Sequence, residues 1–533
     1  MGRKPWLLLI SMFCLATIAA GQILFVPHPE SKLTYDRGAT ALKQGNAIAA
    51  FEFFRQAVIR DLDWIDPLEA LVKTAKSMRG NMPSGNVSRS VALRELRALF
   101  ETRAREAPAN SYYLWAIALL DDSTTQEIAE SRLRAAIAID PNFFKAYERL
   151  ANVLAYRGDL GGELDCLRAM RELQPQDPEI LATYAMRALE SDPRQGRLLT
   201  DQFLATGHSA AGAELLARLA AVEPDLDRRI EVLERLKSYY PVTESDTSEW
   251  NMQFLFDAYN RTEPTKALAL AQEMVLLMPR QSAAGRDWKE IASYEEALTR
   301  ARSFLEHKAY NEAIRELNKA VAPDSISIEP EILLRAEGLQ LAGKTDQAYK
   351  AVLSAAAAQP SEGLKAALAL YGKAKGKSDA QIEADIHSAM VRQGYQFPSF
   401  TVYDNNLGKV KLSSFRGRVV LLDFWHPGMA EARADLPYLA TLLARYESRG
   451  FAVVAVNVHP EDEIFRILMS RYRFASLSAP DAYWARREFQ FNLTTTPYYY
   501  LLDRKGCAVY VPQFGRIDYR RSFELALEAL LAQ

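Results

Sequence analysis

Pro141 and Pro175 stand 34 residues apart, and the text between them, "PNFFKAYERLANVLAYRGDLGGELDCLRAMRELQP", reads as two helices joined by a glycine turn. Tyr147, Leu150, Ala151 and Leu154 fall at helical spacing on one face, and Gly158 follows where the chain must reverse. The same order of small and large residues recurs as Gly38, Gly45, Ala50, Phe54 and Ala57. It returns as Ala336, Gly343, Ala348, Ala355 and Pro360, and "YNEAIRELNKAV" (310–321) has the look of a second helix of the same unit. A helix pair this short cannot bury its apolar face alone, so units of this kind must stack on one another. This recurrence sets the architecture of residues 31–375, where strand signals are few.

The pattern resembles the tetratricopeptide family, with firm registers near 31–64, 110–177 and 295–362 and a degenerate stretch from about 180 to 290. In such repeats small residues let the two helices of a unit approach, and large ones fill the space between units. The resemblance implies an all-α solenoid whose concave surface binds protein or peptide partners. The quoted residues themselves read as core. "GHSAA" (207–211) brushes against a nucleophile elbow but lacks the final glycine and a leading strand, so it reads as an inter-helix turn.

A chain of 533 residues carries two or three domains, and 49% apolar with 25% charged residues fits packed globular structure. A net charge of −2, with no basic run interleaved with aromatics, argues against nucleic acid as a partner. Arg3 and Lys4 precede an apolar run from Trp6 to Ala20, with Ala19 and Gly21 at signal-cleavage spacing. Residues 1–21 therefore read as a signal peptide; "ILFVP" beyond them keeps an uncleaved signal anchor as the alternative. Bulky Phe13 before Cys14 excludes a lipobox. Export places the remaining cysteines, Cys166 and Cys507, in an oxidising compartment, where they read as two unpaired thiols. Asn86, Asn260 and Asn492 stand in Asn-x-Ser/Thr triplets, which on a eukaryotic secretory path would be glycosylation candidates.

After a helical linker (376–395) the texture alternates. "FPSFTVYDNNLGKVKLSSFRG" reads as a hairpin, followed by the strand "VVLLDFW" and a helix over about 430–449. A strand at 451–458, a helix over about 461–472 and a short helix near 480–488 come next. Strands "YYYLLD" (498–503) and "CAVYV" (507–511) and a helix over about 518–532 close the chain. The alternation predicts an α/β sandwich with a central mixed sheet over 396–533.

This region resembles the thioredoxin-like superfamily, in its redoxin/TlpA-type branch. The landmarks are Phe424-Trp425 after the strand, Pro437 in the following helix, and Thr496-Pro497 before "YYYLLDRKG". In that family Phe-Trp, three residues, Cys-x-x-Cys, Arg and then a proline four residues on succeed one another. Here "HPG" is followed by Met429-Ala430-Glu431-Ala432, Arg433 and Pro437. The resemblance thus puts Met429 at the attacking and Ala432 at the resolving position, and a cis peptide bond before Pro497. A thioether has no ionisable proton and alanine has no sulfur, so dithiol exchange has no nucleophile here.

The expectation is a multidomain protein, a solenoid followed by a redox-degenerate thioredoxin-like domain, acting as an exported non-catalytic binding adaptor. Trp425, His426, Thr496 and Pro497 are its candidate peptide-binding residues; no cofactor and no metal are expected. Two alternatives stand beside it. One is thiol–disulfide oxidoreductase activity, with Cys507 as the lone substitute thiol. The other is copper handling through His426 and Met429, with His459 as the visible third ligand.

Overall fold

The computed structural model describes residues 27–61, 64–78, 89–121, 125–279, 282–398, 400–404, 408–427, 429–458, 463–479, 498–512 and 519–532. The leader, Asn86, His459, the expected helix near 480–488, Asn492, Thr496 and Pro497 lie outside the described residues. The chain divides into two compact units at Leu154–Ala155. Among the described residues no helix is long and apolar enough to cross a membrane.

Helices follow one another from α1 (Pro29–Lys43) to α20 (Asp379–Gln393), including the stretch where the repeat register fades. Their ends are written locally. Asp159 opens α8 (Leu160–Leu173) by accepting the Gly162 N–H at 3.1 Å. Asp177 accepts the Glu179 N–H at 2.8 Å ahead of Pro178, the first residue of α9 (Pro178–Ser191). Ser378 and Gln381 form a reciprocal capping box at the start of α20. Gly45, Gly158 and Gly343 turn the chain with φ of 76°, 70° and 74°, a left-handed conformation that disfavours any residue with a Cβ. Ala50, Phe54, Leu150, Ala336 and Ala348 are buried. "GHSAA" is the turn between α10 (Pro193–Leu204) and α11 (Ala210–Val222), with Ser209 at the helix N-cap.

Asn260 corrects one expectation. It lies in α13 (Asp246–Thr262), 3% exposed, with its side-chain oxygen accepting from Arg302 at 3.1 Å. No glycan can be attached to an amide enclosed in that way. The helical pattern places this face inward, which a triplet search does not register.

The sheet unit begins at β1 (Tyr395–Gln396). An antiparallel hairpin follows, β2 (Thr401–Tyr403) with β3 (Lys409–Lys411), and then β4 (Val419–Trp425) and α21 (Ala430–Tyr446). The chain continues through β5 (Phe451–Asn457), α22 (Glu463–Met469), β6 (Ala475–Ser478), β7 (Tyr498–Leu502), β8 (Cys507–Tyr510) and α23 (Tyr519–Leu531). The strand order is β1-β8-β7-β4-β5-β6-β2-β3. β4 and β5 run parallel at the centre, and every residue of both is buried. Parallel strands covered on both faces are apolar throughout, which explains why "VVLLDFW" and "FAVVAVN" lack alternation.

Side chains still alternate between faces. Val419, Leu421 and Trp425 join a core with Leu436 and Leu439 of α21 and Phe523 and Leu527 of α23. Val420, Leu422 and Phe424 face a second core with Phe397, Phe400 and Val402. The expected linker is part of this packing: Ala389 and Met390 of α20 and Ala357 of α18 (Thr345–Ala358) belong to the first core. Arg521 of α23 also pairs with Glu362 at 2.6 Å, and Ser522 Oγ donates to the Pro360 carbonyl at 2.5 Å. The sheet is thus fused to the last helices of the array.

Candidate functional site

β4 ends at Trp425, and a loop of His426 and Pro427 leads to Met429, the N-cap of α21. The loop closes on itself. The Met429 N–H donates to the His426 carbonyl at 2.9 Å, and the Arg433 N–H to the Met429 carbonyl at 3.2 Å. The Arg433 guanidinium returns to the Pro427 carbonyl, so one side chain ties the first turn of α21 to the loop before it. Among the helix-start residues, Met429 therefore holds the place where amide dipoles favour negative charge, and its thioether carries none.

Met429 is 1% and Ala432 0% exposed, and both sit in the first core with Trp425, Phe465, Leu468 and Met469. Trp425 is fully enclosed, its ring 5.2 Å from that of Phe465. His426 is half-buried. The structure thus gathers Trp425, His426, Met429 and Ala432 around one helix start. The other two binding candidates, Thr496 and Pro497, and the third copper candidate, His459, are outside the described residues. Among the described residues, no three His, Cys, Asp or Glu side chains are grouped for a metal ion. Cys166 is buried in α8 and Cys507 half-buried in β8. The Cys507 sulfur lies 3.8 Å from the Gln396 side-chain oxygen on β1, the sheet's outer strand.

Behind the site lies a group that sequence reasoning passed over. Asp423, in β4, is 0% exposed, and neither of its carboxyl oxygens has a hydrogen-bond partner among the described residues. It stands directly across from Tyr499 in the β4–β7 register. Burial, and then the charge of Asp435, push its carboxyl well above the usual carboxylate range. Both causes favour the protonated form of Asp423 over the ionised one.

Asp435 of α21 is 2% exposed but well supplied. It accepts from the Tyr519 hydroxyl at 2.7 Å and from Arg520 Nε and Nη2 at 3.1 and 2.6 Å. Burial raises its carboxyl, and Arg520 and the tyrosines offset part of that rise. The Tyr499 phenol is pushed well above its ordinary value, first by burial and then by Asp423. Two carboxyls with opposite support thus lie behind one helix start: one stripped of partners, one tied to an arginine. The signal was present, since Asp423 is an acid inside an otherwise apolar strand.

The AhpC/TSA family model matches residues 393–511. The thiol-disulfide oxidoreductase ResA of Bacillus subtilis (strain 168) is 32% identical over 68 residues, 13% of this chain and 38% of its own. ResA of Bacillus thuringiensis subsp. konkukian is 25% identical over 115 residues, 21% of this chain and 65% of its own. The chain thus spans less than two thirds of either relative. The solved thioredoxin domain of a thiol-disulfide oxidoreductase from Bacteroides vulgatus is 22% identical, covering 25% of this chain and 97% of its own, with a TM-score of 0.23. The C-terminal region is a thioredoxin-like domain of AhpC/TSA type, related to thiol-disulfide oxidoreductases.

Proposed function

We propose that this chain is an exported, non-catalytic protein- or peptide-binding adaptor. Its helices form a tetratricopeptide-like solenoid that supplies the partner surface, and its thioredoxin-like domain is redox-inactive. The observation carrying this reading is the helix start of α21, where Met429 is the N-cap and both Met429 and Ala432 are buried; the family resemblance assigns these two positions to the Cys-x-x-Cys pair. Exchange needs a thiolate at that helix start and a second thiol beside it, and neither side chain can supply one. The two sulfhydryls that remain, Cys166 and Cys507, sit on α8 and on β8, away from that helix start.

The kinship with ResA supports the rival reading of a thiol–disulfide oxidoreductase, in which Cys507 alone would do the chemistry. Reduction of insulin by dithiothreitol decides between them. The adaptor reading expects no acceleration at any protein concentration; turnover that disappears on Cys507→Ser overturns it. Location outside the cytoplasm, proposed from the leader, is tested by fusing residues 1–40 to an alkaline phosphatase reporter, which gains activity only if it is exported.

A further inference from the structure

In the degenerate stretch of the array, Pro241 and Pro279 stand 38 residues apart, against 34 for Pro141 and Pro175. Part of the excess lies in the connection from α12 (Leu226–Tyr239) to α13, which runs from Tyr240 to Ser245. The connection from α8 to α9 needs only Gln174 to Asp177. Beside the longer connection, between α12 and α14 (Pro264–Leu277), lies a cavity of about 420 Å³. That volume falls within the range of about 300–1,000 Å³ usual for ligand clefts. Glu234 and Lys237 line it at i, i+3 on α12, and Glu273 and Leu277 at i, i+4 on α14. Val242 of the connection and Tyr259 of α13 line it too.

The polar groups of the cavity are only partly engaged with one another. The Tyr259 hydroxyl donates to Glu234 Oε1 at 2.5 Å, and Lys266 stands 3.6 Å from the same oxygen. Lys237 Nζ donates to Glu273 Oε2. Each carboxylate thereby keeps one oxygen, Glu234 Oε2 and Glu273 Oε1, that accepts nothing from these donors. Their side chains are 45% and 42% exposed, so a ligand can reach both. Two carboxylates and one ammonium give the lining a net charge of −1, and Lys266 is balanced by Glu263 at 3.0 Å.

An anion here would meet two like charges, whereas a cation is attracted. A guanidinium carries donors on more than one edge and so suits two separate acceptors better than a compact ammonium does. Tyr259 already tolerates a cation, since Lys266 Nζ lies 5.3 Å from its ring centroid. Val242 and Leu277 offer apolar surface to an aliphatic stem, and Leu277 is 41% exposed beside the carboxylates.

We propose that this cavity binds an arginine side chain of a partner peptide. Glu234 and Glu273 accept from the guanidinium, and Leu277 covers an apolar neighbour in the same peptide. Lys237 is the built-in competitor for Glu273. The inference rests on the adaptor reading and names the chemistry that one part of its array recognises.

The test titrates the full chain calorimetrically with acetyl-Ala-Leu-Arg-Leu-Ala-amide, and with the same peptide carrying citrulline, a neutral isostere, in place of arginine. The arginine peptide is expected to bind at least about tenfold more tightly. Glu234→Gln and Glu273→Gln should each weaken it about tenfold, and Lys237→Met should tighten it about threefold by freeing Glu273 Oε2. Leu277→Ala should bring the peptide down to the affinity of acetyl-arginine-amide, a loss of about three- to tenfold. The citrulline comparison uses the unaltered chain, so it holds whatever a variant does to folding. No binding of the arginine peptide up to about 5 mM, equal affinity for the citrulline peptide, or affinity unchanged by both glutamine variants overturns the proposal. Acetyl-arginine-amide binding as tightly as the peptide overturns the assignment to a peptide. Insulin turnover that disappears on Cys507→Ser would sink the adaptor reading and leave these titrations unchanged.

Discussion

Replacing Asp423 with valine removes a carboxyl that has no hydrogen-bond partner among the described residues and no exposed surface. A buried polar group left unpaired costs about 1–3 kcal/mol. Valine also suits a fully buried parallel strand, and an added buried methyl or methylene contributes about 0.8 kcal/mol. Repacking against Tyr499 takes back part of this, so a net gain of about 1–3 kcal/mol at pH 7.5 is expected. In urea, with slopes of about 1–3 kcal/mol/M, the midpoint of the sheet unit's transition should rise by about 1 M. Tryptophan fluorescence follows it, because Trp425 lies two residues away on the same strand.

The pH dependence gives a sharper check. Native Asp423 holds its proton above the unfolded value of about 3.9. Over that window the native state binds more protons than the unfolded one. Wild-type stability therefore falls as pH rises, until the native carboxyl itself ionises. The valine variant lacks this loss, so its advantage should grow between pH 4.5 and pH 7.5. A variant less stable than wild type at pH 7.5, or an advantage that does not change with pH, would refute the account of Asp423 as a neutral, partnerless acid.

Three further outcomes follow from the same physics. Arg520→Met strands Asp435, whose Oδ1 accepts from that guanidinium at 2.6 Å; urea unfolding at pH 7.5 should show a loss of about 1–3 kcal/mol, shrinking toward pH 4.5 as the carboxyl protonates. Glu295, in α15 (Ala283–Glu306), is pushed up to about 6 by burial, which Arg302 only partly offsets. Wild-type stability should therefore fall between pH 4.5 and pH 6.5. Relative to wild type, Glu295→Gln should gain about 2 kcal/mol across that window, read by urea titration at both ends. Gly196→Ala drives a Cβ to 2.7 Å from the Leu189 backbone nitrogen, which cannot yield; a loss of about 1–3 kcal/mol, seen as a lower thermal midpoint in circular dichroism, is expected.

Much of the local structure was legible in the residues themselves. Asp159, Asp177 and Ser378 start helices because their side chains accept nearby N–H groups, and that chemistry reaches no further than three residues. The buried parallel strands were readable as apolar runs interrupted only by Asp423 and Asn457, and the hairpin "RKG" as a turn at Gly506, whose φ is 84°. The position of Met429 at a helix start also followed from counting, because the strand, loop and helix are contiguous. The sequence by itself thus determined the helical array, the sheet unit and the absence of a thiol from the helix start.

Tertiary structure decided the rest, because burial and pairing depend on residues far apart in the chain. Asn260 looked like a surface acceptor until its helix face was turned inward. The stretch 376–395 looked like a linker, yet Met390 packs into the sheet's core. Asp423 and Asp435 are chemically identical, but only one received an arginine, 85 residues along the chain. Gly158 was readable as a turn; that its missing Cβ makes room for Leu468 was not, since a close approach across three hundred residues leaves no periodic trace in the text.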